Sequence, residues 1–224
     1  DNSTDALKMI SVLKDCIKND QLSEIMIASG YWDLPGMALV YEELKAFLEK
    51  EDTKLRLIIG KEPVVRSYQQ SKVKKKDDFP GQYIKTDLNN LALTYCSDDF
   101  ENSKLQIKIY GQGVNEQFLH AKCYIFKGSG SAYGIIGSSN FTKKGLEDNA
   151  ELNYLETTPH IVKFKTEDSI KGHSGWFEEK WQESEPWNNV FLEEILKPSP
   201  IGVKTEKERH KASQQLTPYE LYIK

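Results

Sequence analysis

Cysteine is scarce and odd in number. Cys16, Cys96 and Cys123 stand far apart in the chain, which argues against a disulfide framework and against a zinc knuckle and suits a reducing cytoplasm. No apolar run approaches the roughly 20 residues that a membrane helix needs. The opening DNSTDALKMI has neither the basic region nor the apolar stretch of a signal peptide, so the expectation is a cytoplasmic protein without a membrane partner. Charge of one sign is not in excess either: 30 Lys and Arg against 34 Asp and Glu give a net charge of -4. That balance carries no global nucleic-acid signature, and a polyanionic ligand would need a local basic surface. Internal repeats and low-complexity segments are absent.

What remains is a globular composition. At 224 residues, 38% hydrophobic and 29% charged, the chain can bury a sizeable core. Over residues 4–18, Leu7, Ile10, Leu13 and Ile17 recur at helical spacing behind a Ser/Thr/Asp-rich start that can cap. SEIMIASGYW (23–32) reads as a buried strand braked by glycine. LPGMALVYEELKAFLEKE reads as a helix opened by Pro and Gly, and KLRLIIG (54–60) as a second buried strand. Helix, strand, helix, strand predicts an α/β fold: a mixed, largely parallel central sheet flanked by helices on both faces.

Further along, lysines 72, 74, 75 and 76 precede Pro80-Gly81 and form either a solvated loop or an arm facing nucleic acid. LNNLALTYC reads as a helix, and KLQIKIYG (104–111) as a strand with Leu105, Ile107 and Ile109 alternating against polar residues. FLHAKCYIF and SAYGIIGSS are expected to form a hairpin across KGSGS, with NAELNYLET as a third strand. Residues 158–184 carry Trp176, Phe177 and Trp181 near helical spacing and predict one or two helices on the sheet, with the tryptophans in the core. EPWNNVFLEEILKP adds a short helix or turn. One domain is expected over 1–197, and 198–224 reads as a polar linker toward a further domain.

The chemistry concentrates in residues 118–152. Along a strand, residues i and i+2 share a face, so His120 and Lys122 project together while Leu119, Ala121 and Cys123 face the other way. Ser138, Ser139 and Asn140 lie just past the tip of the next strand, and a third strand supplies Glu151. Imidazole is nucleophilic near neutral pH. A lysine and an asparagine offer N–H donors to phosphoryl oxygens whose charge develops in the transition state. A carboxylate can hold the histidine in one tautomer. No Asp/Glu/His cluster with metal-ligand spacing adjoins these residues, so neither metal nor other cofactor is expected. Lys143 and Lys144, beside them, suit contact with a phosphate backbone as well as they suit a solvated turn. His160, His173 and His210 lack a following x-Lys partner and read as surface or structural.

HAK followed by GSSN resembles the H-x-K(x)4-D(x)6-G-S-x-N signature of the phospholipase D superfamily. His120 and Lys122 match its histidine and lysine, and Gly137, Ser138 and Asn140 match its later part. Glu151, eleven residues after Asn140, matches the downstream glutamate of the nuclease branch. The signature's aspartate is Lys127 here, and the spacing to Gly137 is longer. That departure disfavours a lipase and suits the restriction-endonuclease-like members, where the aspartate can be absent. The resemblance implies a phospholipase D-like fold and a DNA endonuclease of a restriction-type system, working without metal through a phosphohistidine at His120. Substrate contacts would come from Ser138, Ser139, Lys143 and Lys144. Superfamily members use two histidines, one as nucleophile and one as general acid. A single H-x-K therefore implies a homodimer with one shared active site. By analogy, a helicase or ATPase domain would follow the linker.

Other classes compete. A metal-dependent nuclease would use Asp33, Glu43 and Lys45, but the last two fall in a helix-like run where that pattern wants a strand. A catalytically silent domain would bind DNA or a partner, and a phosphodiesterase could act on RNA or phospholipid instead.

Overall fold

The computed structural model describes residues 2–5, 7–60, 95–96, 99–111, 118–129, 131–156, 163–165 and 170–196. Strand β1 (Leu22–Ser29) lies at the centre. Its period-two alternation sends Ile25 and Ile27 into one core layer and Met26 and Ala28 into the other. Strands β2 (Lys54–Ile59) and β3 (Leu105–Ile109) follow on one side, each parallel to its neighbour. On the other side lie β4 (Lys122–Gly128), β5 (Ser131–Gly137) and β6 (Asn153–Glu156), all paired antiparallel. Strands β7 (Lys163–Lys165) and β8 (Ile170–Gly172) form a separate two-stranded sheet, and β9 (Glu185–Pro186) pairs with β3. Among the described residues the main sheet has seven strands in the order β6-β5-β4-β1-β2-β3-β9.

The expected α/β class, with its mixed sheet and helices on both faces, is what forms. Among the described strands only β1–β2 and β2–β3 pair in parallel, with one further parallel bridge between Trp32 and Phe141, so the antiparallel share exceeds the expectation. The cause at β4 and β5 is the tight turn between Gly128 and Ser131, which are themselves paired. So short a connection can join only antiparallel strands.

One face carries α1 (Met9–Ile17), α2 (Leu34–Leu39) and α3 (Tyr41–Glu49) over Ile25, Ile27, Leu57, Ile107, Tyr124 and Phe126. The opposite face carries α4 (His173–Gln182), whose Phe177 and Trp181 pack with Met26, Ala28, Ile58 and Ile125. Gln106 and Lys108, expected as the polar side of β3, are buried on this second face. There Lys108 Nζ donates to the Trp181 carbonyl at 3.1 Å and sits 4.8 Å from that indole's centre. The stem is covered while the head keeps a partner.

Three boundaries differ from the sequence expectation, and the short helix expected near residue 190 forms. Helix α1 starts at Met9 rather than residue 4, leaving Leu7 54% exposed; Asn2, not a hydroxyl, accepts the Met9 N–H at 2.9 Å. The single helix expected over 34–51 is two, α2 and α3, with Asp33 Oδ1 accepting the Gly36 N–H at 2.6 Å as a side-chain cap. Residues 163–165 and 170–172 are strands, and the helix that carries the tryptophans begins only at His173. Past β9, the short helix α5 (Asn188–Val190) continues into a π-helical turn, Phe191–Leu196. Asn188 there pairs with the β3 backbone, accepting from Ile107 N at 2.7 Å and donating to Leu105 O at 3.0 Å.

His173 and Trp181 are buried, in keeping with structural roles. The lysines at 72–76, most of the expected helix before Cys96, His160, His210 and the segment 198–224 lie outside the described residues. Among the described residues no helix is long and apolar enough to cross a membrane.

Candidate active site

Sheet order decides where the motif residues meet. Strand β3 does not adjoin β4, because β1 and β2 lie between them. The strand read over 104–111 therefore stands apart from those that carry the motif. The strand beside β4 is β1, whose last residue Ser29 faces Lys122 in register. Gly30 N then donates to Ala121 O at 2.9 Å. On the other side β5 pairs with β4, and Gly137 at its end faces Asn153 of β6. Residues 29–31, 120–122, 137–140 and 151–153 therefore converge at one end of four adjacent strands.

Gly30 makes this approach possible. A Cβ there would meet Leu119 O at 2.6 Å and His120 Cα at 3.3 Å, so only glycine lets the His120 segment lie this close. His120 is exposed, immediately before β4. Lys122 is buried, and its Nζ donates to the His120 carbonyl at 3.0 Å. Desolvation lowers the Lys122 pKa from its ordinary value, and the negative charge of Glu151 partly offsets that. Among the described residues the ammonium donates to this carbonyl alone, which leaves two of its three N–H bonds for a ligand.

Asn140 is oriented from β1. Its Oδ1 accepts the Tyr31 N–H at 3.2 Å, which leaves the Nδ2 end to donate. Ser29, fully buried, links the same elements: its Oγ donates to Tyr31 O at 2.6 Å and accepts from Phe141 N at 2.9 Å. Glu151 accepts from Ser138 Oγ with one oxygen and from Asn149 Nδ2 at 3.2 Å with the other. Ser138 Oγ in turn accepts from Leu152 N at 3.0 Å. Among the described residues the hydrogen bonds of Glu151 go to Ser138 and Asn149, not to the His120 ring.

Ser139, expected among the substrate contacts, is fully buried. Its N–H donates to Asn153 Oδ1 at 3.2 Å, its Oγ accepts from Asn153 Nδ2 at 2.8 Å, and its carbonyl accepts from Tyr124 OH at 2.8 Å. The side chain shapes the loop from inside. Lys143, half-buried, leads into the π-helical stretch Lys144–Asp148 that follows Asn140, and Lys144 at its start is exposed. Lys127, in the place of the signature's aspartate, lies near the far end of β4 and pairs with Glu24 at 3.7 Å.

The competing metal set does not assemble. Asp33 Oδ1 accepts backbone N–H groups from Gly36 and Lys143, and burial raises its pKa. Glu43 and Lys45 sit on α3, with Glu43 facing Lys14 at 3.6 Å and Lys45 facing Glu49 at 4.0 Å. Among the described residues no three His, Cys, Asp or Glu side chains cluster so as to hold a metal ion.

Sequence reasoning missed Ser29, Tyr31, Asn149 and Asn153. Only the glycine after Ser29 hinted at a close approach there.

The family profile described as "Cardiolipin synthase, PLD-like domain" matches residues 13–181. The chain belongs to this phospholipase D-like family. It thus falls within the phospholipase D superfamily. Among solved structures, phosphatidylserine synthase of Haemophilus influenzae Rd KW20 is similar at 15% identity and a TM-score of 0.49, over 91% of this chain. The chain spans 42% of the length of that synthase. Nuc from Salmonella typhimurium, a phospholipase D family member, is similar at 12% identity and a TM-score of 0.43, over 78% of this chain and 88% of Nuc. NucT from Helicobacter pylori is similar at 15% identity and a TM-score of 0.43, over 80% of this chain and 90% of NucT. No curated protein matches the chain.

Proposed function

We propose that the chain is a DNA endonuclease that hydrolyses phosphodiester bonds through a covalent intermediate on His120, as part of a restriction-type system. The observation that carries the reading is the convergence of an exposed imidazole, a buried lysine and an amide whose Oδ1 is held by the Tyr31 N–H, all at one strand end. An imidazole nitrogen of His120 attacks phosphorus, an N–P bond forms and a P–O bond breaks. Lys122 and Asn140 donate to the non-bridging oxygens as charge builds on them. Water then cleaves the N–P bond and releases the phosphate end. Glu151 holds Ser138 in place and supports the charge on Lys122. Lys143 and Lys144 supply the local basic contact with the DNA backbone.

The leaving oxygen needs a proton, and this chain has one H-x-K among its four histidines. A second subunit supplies the general acid, in a two-fold homodimer with one site shared across the axis. A helicase or ATPase domain in a longer chain is the expected companion, and the cytoplasm the expected compartment. Because the positive charge comes from Lys122 and amide donors, cleavage persists when divalent ions are removed. Plasmid nicking in excess EDTA, wild type against His120→Ala, tests the reading; strict Mg²⁺ dependence contradicts it.

A phospholipid substrate is the second reading. It is favoured by the family's description and by Leu152, Tyr154 and Leu155, which are 79%, 66% and 40% exposed beside Glu151. Release of headgroup from anionic vesicles, with plasmid left intact, would decide for it.

A further inference from the structure

Two residues before His120, a large apolar side chain stays in water. Phe118 is 40% exposed, yet its ring is not loose. It meets the Tyr31 ring edge-on, centroids 5.6 Å apart and planes at 66°, and the His120 ring at 5.6 Å and 38°. Beneath it lies Gly30, where a Cβ would come within 3.4 Å of the Phe118 ring. Tyr31, which braces the ring, is the residue whose backbone N–H fixes Asn140. One aromatic plane is thus anchored to both the proposed nucleophile and a proposed phosphate donor.

We infer that Phe118, braced by Tyr31, is a stacking platform for an unpaired nucleobase next to the phosphate that His120 attacks. The inference rests on the phosphodiesterase reading and names a substrate class for it: single-stranded or locally unpaired nucleic acid. A flat ring held edge-on by a second ring presents a fixed face, and every base offers a matching π-face whatever its sequence. A base inside a duplex already has both faces covered, so it must leave the stack to use this one. A flexible acyl chain gains only area burial there and nothing from the fixed orientation of the plane, and the geometry favours the planar partner over lipid. Phe118 is then a positioning residue that sets the register of the backbone against His120 without itself touching the reacting phosphorus.

The test uses Phe118→Ala and Phe118→Trp, with thermal unfolding to show that both fold. Substrates are a single-stranded DNA oligonucleotide, the same strand with abasic sites, and the matched duplex. Phe118→Ala should raise KM on the base-bearing strand about tenfold, the order expected for one stacked base, with a much smaller change in kcat. Phe118→Trp should restore it, and on the abasic strand wild type and Phe118→Ala should coincide. Equal KM for wild type and Phe118→Ala on the base-bearing strand overturns the inference and leaves the phosphodiesterase reading intact. So does an equal loss on base-bearing and abasic strands, which marks a structural role. Unchanged oligonucleotide cleavage with weakened sedimentation on anionic phospholipid vesicles overturns it in favour of a lipid contact. A wild type that cleaves no phosphodiester overturns the phosphodiesterase reading and this inference together.

Discussion

The backbone N–H of Tyr31 donates to Oδ1 of Asn140 at 3.2 Å, across 109 positions of sequence. That single bond orients an amide which the motif alone leaves free to turn. Asn140→Asp keeps an acceptor for Tyr31 but removes the Nδ2 donors and adds a negative charge where the phosphate would sit. The expected result is a fall in kcat of about 10²–10³-fold, the range for losing one such donor, with the unfolding midpoint nearly unchanged. Cleavage at the wild-type rate would show that Nδ2 does not face the substrate.

Ser29 is the buried brace under the same loop. Ser29→Ala leaves the Phe141 N–H without the oxygen that it donates to at 2.9 Å. A buried donor left unpaired costs about 1–3 kcal/mol, to be read from urea unfolding. A variant as stable as wild type would mean that another acceptor takes over.

Lys122 gives a pH signature. Burial lowers its pKa below the ordinary 10.5, and only the charged form offsets the negative charge that builds on the phosphoryl oxygens. The alkaline limb of kcat/KM should therefore lie below 10.5. Because Glu151 raises the Lys122 pKa, Glu151→Gln should move that limb to lower pH. For stability the sign is opposite: the cost of burying the charge is fully present below the lowered pKa and is relieved as pH rises from there toward 10.5. A limb that stays in place in Glu151→Gln, in a pH–rate profile, would separate the two groups.

The shared site makes a counting prediction. Mixed dimers of wild type with His120→Ala should be nearly inactive, because the one shared site would lack either nucleophile or general acid. Half the wild-type rate, or a fully active monomer by light scattering, would contradict the two-fold arrangement.

Much of this was legible in the sequence, for identifiable reasons. Strands β1, β2, β4 and β5 announce themselves as apolar runs ending at Gly30, Gly60, Gly128 and Gly137. The spacing of His120, Lys122, Asn140 and Glu151 carried the family. Local patterns do not encode which strands become neighbours, and so the β1 contribution through Ser29 and Tyr31 could not be read. Burial of Lys108 escaped notice because a strand lysine looks solvent-facing until Trp181 is known to cover it. Ser139 looked like a substrate contact because sequence does not say that Asn153 and Tyr124 draw its groups inward. The β7–β8 hairpin was lost behind the stronger helical spacing of the aromatics after it.

The most direct test is to quench a reaction with 5′-labelled DNA under alkaline conditions, where phosphohistidine survives, and to map the modified peptide by mass spectrometry. The account predicts a phosphoryl adduct on the peptide containing His120, absent from His120→Ala. An adduct on any other residue, or turnover with no adduct trapped at any time point, would contradict it.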